Sequence, residues 1–363
     1  MKQGTAQLAN TFARAGAYLA QHARSERSES RELETLNNRY YDTFEEVIRN
    51  EHLHNPWFTE RFVRLALEGI ARMLQPETLR DWLKNYPGAG SQPPKKIGVV
   101  MAGNIPLVGF HDFLCVLLSG NRFVGKTSSK DDRLLRKVAE LLIHLRPGLE
   151  EHILFTDQYL KDVDAVIATG SDNTARYFEY YFRNTPHIIR KNRNGVAVLN
   201  GSENREDLRL LGQDVFTYFG LGCRNVTKLY VPENFDLTRI MEVWEPDDEI
   251  ALHHKYQNNI EYHRAVYLMN SIPFLDNGGV LLKEDPGLSS PIGVVYYEKY
   301  SELERVLESL KINREQIQCT VSVDETVENR VKPGQSQFPS PGDYADGIDT
   351  MQFLIEMSHN HAI

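Results

Sequence analysis

The hydrophobic pattern of this chain changes character part-way along it. Residues 1–90 place apolar positions at helical spacing among many polar ones. The stretch LETLNNRYYDTFEEVIRNEHLHNPWFTERFVRLALEGIARML reads as amphipathic helices broken near Asn55–Pro56. YPGAGSQPPKK (86–96) is a connector rich in Gly and Pro. Beyond it, short apolar runs end in glycine or polar residues and alternate with helical patterns. KIGVVMAG (96–103) reads as a buried parallel strand, and NIPLVGFHDFLCVLLSG (104–120) as a buried helix opening at Asn104 and Pro106. NRFVGKTSS (121–129) follows as strand and exit loop, DDRLLRKVAELLIHL (131–145) as an amphipathic helix, and DAVIATGS (164–171) as a strand leading into the helical DNTARYFEYYFRN.

Strands alternating with helices predict an open parallel sheet covered on both faces, whose ligands bind at the carboxyl ends of the strands. Gly103-Asn104, Lys126-Thr127 and Thr169-Gly170-Ser171 fall at such ends. A second α/β run starts near GVAVLNG (195–201) and continues to about residue 325. A final irregular segment then closes on a short helix. Neither internal repeats nor low-complexity tracts occur.

Composition narrows the function. With 363 residues the chain is too long for one small core. Hydrophobic residues make up 41% and charged residues 25%, as in ordinary globular proteins. A formal net charge of −9 argues against nucleic-acid binding. No apolar run reaches membrane-span length, and the N-terminus lacks a signal-peptide core, so the expected address is cytoplasmic. Three cysteines make neither a disulfide framework nor a zinc site, and no metal is expected. HHKYQNNIEYH (253–263) reads as the solvated face of a helix.

One of those cysteines is placed unlike the others. Cys115 lies inside the apolar DFLCVLLSG, whereas Cys223 sits in FGLGCRNVTKLYVP, in a glycine-rich turn beside Arg224 and ahead of a strand. Backbone N–H groups and a cation favour a thiolate, so Cys223 is a candidate nucleophile; a small core residue is the plainer reading. Asn104 is either an amide donor to an oxyanion or the cap of the following helix. Gly170 and Ser171 open a helix whose N–H groups suit an anion, or simply cap it. Lys126 could reach a ribose or phosphate, as any strand-end lysine could.

Taken in order, GNIPLVG, GNRFVGKTSSKDD, ATGSDNTARYF, RKNRNGVAVLNG, YFGLGCRNVTKLYVP and DYADGIDTMQFL resemble the aldehyde dehydrogenase superfamily over residues 96–354. More narrowly, the chain is similar to the acyl-CoA reductase branch that includes the luminescence fatty-acyl reductases. The resemblance implies two doubly wound parallel-sheet α/β domains with the active site in the cleft between them. It divides the chain into an N-terminal helical region (1–95) packed on a cofactor domain (96–190), a catalytic domain (191–325) and a C-terminal segment (326–363) that returns to the first domain or to an oligomer interface. It implies that Cys223 accepts the acyl group and that Asn104, with the Cys223 N–H, holds the oxyanion. Lys126 would contact the adenosine ribose, and Gly170 and Ser171, entered through Thr169, would lie under the pyrophosphate.

Two departures from the superfamily pattern bear on chemistry. The glutamate that activates water in aldehyde-oxidising members is absent from HIIRKNRNG, which favours an acyl group that leaves as an aldehyde. At the stretch matching the superfamily's E-I-F-G-P, SSPIGVV (289–295), no glutamate stands to hold the nicotinamide ribose. After Lys126 the text is TSSK, where Ser128 and Lys130 would accept a 2′-phosphate. The expected cofactor is therefore NADPH, with NADH as the alternative. The expected activity is reduction of an acyl thioester, on CoA or on a carrier protein, with Cys115 and Cys319 dispensable. The other readings are an acyl-transfer subunit and an inactive cofactor-binding scaffold. A homo-oligomer is expected by family habit, and the N-terminal helices are a candidate dock for an acyl-delivering enzyme.

Overall fold

The computed structural model describes residues 3–359. They pack as two compact units, one running through Lys191 and resuming at Phe338, the other being Asn192–Gln337. The later boundary falls beyond 325 because Val331 pairs with Val321, and the N–H groups of Gly334 and Ser336 donate to Asp214.

The first unit begins with four helices, α1 (Gln3–Ala23), α2 (Arg31–Asn50), α3 (Glu60–Met73) and α4 (Pro76–Leu83). Ser30 caps α2 and Thr59 caps α3, each accepting a hydrogen bond from the first turn. Helix α1 is the hub. Its Phe12, Ala15, Tyr18 and Leu19 are wholly buried, and a Cβ at Gly16 would stand 2.6 Å from Leu74 Cβ. A larger residue there would therefore push α1 off its neighbours.

Five parallel strands follow: β1 (Lys96–Val100), β2 (Arg122–Lys126), β3 (Ile153–Phe155), β4 (Ala165–Thr169) and β5 (His187–Arg190), in the order β3-β2-β1-β4-β5. Helices α5 (Phe110–Leu118), α6 (Leu134–Leu145) and α7 (Asp172–Tyr181) connect them. The chain runs outward from β1 through β2 to β3, then restarts at β4 on the other side of β1. That reversal opens a crevice at the carboxyl ends of β1 and β4. Helix α13 (Thr350–His359) completes this unit by packing on α5, burying Met351, Leu354 and Ile355.

One expectation needs correction. The helix after β1 starts at Phe110, not at Pro106. Leu107 has φ +59°, which a right-handed helix forbids, and its N–H donates to Asp131 Oδ2 at 2.8 Å. Gly109 occupies the cap position, so Asn104 does not cap this helix. Residues 104–109 form a turn instead.

The second unit holds a six-stranded sheet ordered β11-β6-β7-β10-β9-β8, parallel except for β8 against β9. Its strands are β6 (Asn194–Val198), β7 (Val226–Pro232), β8 (Leu275–Asp276), β9 (Leu281–Glu284), β10 (Val294–Tyr300) and β11 (Ile317–Val321). Around them lie α8 (Arg205–Phe216), α9 (Thr238–Met241), α10 (Asp248–Ala251), α11 (His254–Met269) and α12 (Leu303–Ile312). Val196, Val198, Tyr230, Val306 and Val327 form the core under α12. Asn204 and Asp207 exchange hydrogen bonds as a capping box that starts α8. Helix α11 buries Tyr256, Ile260 and Tyr267 and exposes most of its other residues. Among the described residues no helix is long and apolar enough to cross a membrane.

Candidate active site

Cys223 belongs to the turn Gly222–Asn225 that enters β7, closed by the Asn225 N–H donating to the Gly222 carbonyl at 3.1 Å. The turn is reached by an unusual backbone path. After α8, Tyr218 and Phe219 both take left-handed conformations, with φ of +52° and +56°, and Gly220 follows at +76°. For residues with a side chain this costs about 1–2 kcal/mol each. Burial holds them there: Phe219 is wholly enclosed and its ring lies 4.3 Å from that of His253. Cys223 is half-buried just ahead of β7, a strand buried over Val226–Val231. Cys115 and Cys319 are buried, and burial pushes the Cys115 thiol well up, away from the thiolate.

Arg224, next to the thiol, donates from Nε to the Ser336 carbonyl at 2.6 Å. Ser336 N–H in turn donates to Asp214 Oδ1 at 3.0 Å, and Gly334 N–H to Oδ2 at 2.7 Å. Burial pushes the Asp214 carboxyl up to about 6. Asn225 and Asp214 were not singled out from sequence. A polar residue two places after the cysteine and an acid near the end of an amphipathic helix carry no local signal of this role.

The remaining expected residues lie on the first unit, at the carboxyl edge of its sheet. Asn104 is exposed in the turn after β1. Gly103 beside it runs so close to the loop after β2 that a Cβ would stand 2.6 Å from Ser128 Oγ and 3.0 Å from Lys130 Cβ. Asn104, Ser128 and Lys130 are thus on two loops in direct contact. Lys126 ends β2, its Nζ 4.8 Å from the centre of the exposed Tyr159 ring. Thr169 ends β4, and Gly170 N–H donates to the Arg190 carbonyl at 3.3 Å. Ser171 caps α7: its Oγ accepts from Thr174 N–H at 3.4 Å and lies 2.9 Å from Thr174 Oγ1. Ser171 therefore acts as the helix cap.

The donors at this edge fit a dinucleotide phosphate. Two lysines, a serine hydroxyl and a helix N-terminus are exposed or half-buried there, and residues 126–130 include no carboxylate. Asp131, next in the chain, turns inward: its carboxyl is buried against Leu107 N–H, and burial pushes it up to about 7.

Arg190 stands at the end of β5, where aldehyde-oxidising enzymes were expected to differ. Its guanidinium is buried, paired with Asp112 Oδ2 at 2.5 Å and Thr350 Oγ1 at 2.9 Å. The position thus carries a buried ion pair that ties β5 to α5, and a hydrogen bond to Thr350 that ties it to α13.

Comparison with known proteins agrees with this architecture. The family model described as acyl-CoA reductase (LuxC) matches residues 7–245. Among solved structures, a P. syringae AldA indole-3-acetaldehyde dehydrogenase mutant in complex with NAD+ and IAA is 14% identical with a TM-score of 0.63, covering 89% of this chain and 73% of its own. The NAD+ complex of an aldehyde dehydrogenase from Bacillus cereus is 13% identical with a TM-score of 0.59, covering 90% and 72%. An NAD-dependent aldehyde dehydrogenase from Sinorhizobium meliloti is 12% identical with a TM-score of 0.62, covering 92% and 72%. A search of curated proteins returns no match. At these identities the structural likeness establishes the aldehyde dehydrogenase-like fold.

Proposed function

The chain belongs to the acyl-CoA reductase (LuxC) family, and from that membership we propose that it reduces an acyl thioester to the aldehyde through an acyl-Cys223 intermediate. The observation that carries the reading is the contrast among the three thiols: two are buried, and Cys223 stands half-buried on a shaped turn. In the proposed reaction the Cys223 thiolate attacks the thioester carbonyl. The C–S bond to the donor's own thiol breaks, that thiol leaves, and an enzyme thioester remains. Asn104 donates to the carbonyl oxygen as it gains charge. NADPH, when bound, supplies the hydride. Hydride added to the thioester carbon, with a proton from water taken up by the oxygen, gives a thiohemiacetal on Cys223. Breaking its C–S bond releases aldehyde and restores the thiol.

Lys126, Ser128 and Lys130 would hold the adenosine ribose and its 2′-phosphate, and Thr169, Gly170 and Ser171 the pyrophosphate. The stretch KTSSK (126–130), with a lysine at each end and no acid, supports NADPH over NADH, because nothing within it repels the extra phosphate. The acid-free stretch HIIRKNRNG (187–195) supports reduction over oxidation, because it offers no general base for hydrolysing the thioester. The test is a panel of acyl-CoAs and acyl-carrier-protein thioesters incubated without cofactor, followed by peptide mass mapping. The reading predicts one acyl group on Cys223 and none on Cys115 or Cys319. Acylation elsewhere, or none with any donor, would contradict it.

A further inference from the structure

Asn225 is wholly enclosed at the foot of β7, and its carboxamide makes more hydrogen bonds than its neighbours need for a simple turn. Oδ1 accepts from Gly222 N–H at 2.8 Å. Nδ2 lies 3.0, 3.3 and 2.8 Å from the carbonyl oxygens of Asp214, Val215 and Thr217. Those carbonyls end α8, where the last turn of a helix leaves acceptors without partners. One side chain therefore joins the end of α8 to the residue before Cys223, across the left-handed run of Tyr218, Phe219 and Gly220.

That run is a single short turn, closed by Leu221 N–H donating to the Tyr218 carbonyl, so its path depends on the burial of Phe219 and on what it is tied to. Removing the carboxamide would leave one N–H and three carbonyls unsatisfied in a buried site, and the least costly relief is for the turn to move. Cys223 is carried on that turn. The second tie, from Asp214 through Ser336 to Arg224, holds the far side of the turn and leaves Asn225 as the link on the near side.

We propose that Asn225 is a positioning residue: its carboxamide fixes the direction in which the Cys223 thiol and the turn's backbone present themselves to the thioester. The inference rests on Cys223 being the nucleophile. Displacements of an ångström at a reacting atom cost on the order of 10²-fold in rate. The expected effect is therefore on acylation, with little change in how tightly acyl-CoA or NADPH binds.

The experiment compares wild type with Asn225→Asp, Asn225→Ala and Gly220→Ala. Asn225→Asp keeps the size and the acceptor for Gly222 N–H but points a carboxylate at three carbonyls. Gly220→Ala strains the same run at φ +76° with nothing nearer its new Cβ than the Val215 carbonyl oxygen at 3.6 Å, so it tests the idea even if the Asn225 variants fail to fold. Single-turnover acylation by acyl-CoA, iodoacetamide alkylation of Cys223 against pH, and NADPH affinity are measured on each. The expected result is acylation slowed at least about 10-fold in every folded variant, a shifted pH midpoint for alkylation, and NADPH affinity within twofold of wild type. Folded variants that acylate and alkylate as wild type does would overturn the inference and leave the reading of Cys223 intact. A wild type that no acyl-CoA acylates would overturn that reading and the inference together.

Discussion

Replacing Asp131 by Asn should stabilise this protein, and by more as pH rises. The carboxyl is buried between the loop after β2 and the turn that carries Asn104. Oδ2 accepts from Leu107 N–H, while Oδ1 has no hydrogen-bond partner. Burial is the largest cause lifting its pKa from 3.8 to about 7, and the Leu107 N–H only partly opposes it. Below the ordinary carboxylate value both folded and unfolded chains hold the proton. Between about pH 4 and pH 7 the folded chain keeps it and the unfolded chain does not, so stability is lost as pH rises through that window. Integrated over the window the loss is about 4 kcal/mol, more than half of it between pH 5 and pH 8. Asparagine keeps an acceptor for Leu107 N–H and carries no charge to desolvate. Urea unfolding of wild type and Asp131→Asn at several pH values isolates the effect, since every other titrating group is common to both. The variant's advantage should grow by about 2–3 kcal/mol from pH 5 to pH 8. A difference that is flat with pH, or that shrinks, would refute the reasoning and mean that the ionised carboxylate is stabilised where it lies.

Glu45→Ala should destabilise by about 3 kcal/mol in thermal or urea unfolding, because it takes the partner from the enclosed His22 and one of two carboxylates from the nearly buried Arg64, which keeps Glu60 at 2.6 Å. Burial alone would raise the Glu45 carboxyl; hydrogen bonds from Arg64 and His22 outweigh it and hold the group low, so its contribution should disappear as pH falls below the carboxylate range. Gly103→Ala should raise the KM for NADPH several-fold with little change in melting temperature, since the new Cβ must displace the Ser128–Lys130 loop. Lys130→Glu should shift preference from NADPH towards NADH by on the order of 10-fold in kcat/KM, by placing a carboxylate where a 2′-phosphate would lie. Cys115→Ser should leave turnover within about twofold, because a wholly buried thiol held far from ionisation takes no part in the chemistry.

Much of the fold was legible because parallel strands buried on both faces read as unbroken apolar runs. KIGVV, AVIAT and NGVAV became β1, β4 and β6 with little change in their bounds. In the first sheet the short edge strands escaped, β3 with three residues and β5 with four, which carry too few positions to show a period, and in the second the strands after β7 were read only as one α/β run. The helix start after β1 was misplaced because Pro106 is a common first helical residue. The left-handed Leu107 that prevents it is decided by a buried acid 24 residues away. The site divides along the same line. Residues at strand ends, such as Lys126 and Thr169, announce themselves through the pattern of the strands they terminate. Asn225, Asp214 and the Arg190–Asp112 pair act through partners distant in sequence, and no local spacing points to them.

The central claim is that Cys223 carries an acyl group from a thioester to reduction. It is tested most directly by following NADPH oxidation with a panel of acyl-CoAs, wild type beside Cys223→Ala, with NADH in parallel. The account predicts thioester-dependent oxidation in wild type, faster with NADPH than with NADH, together with equimolar aldehyde, and no oxidation in the variant. Oxidation that persists without the Cys223 thiol would contradict it.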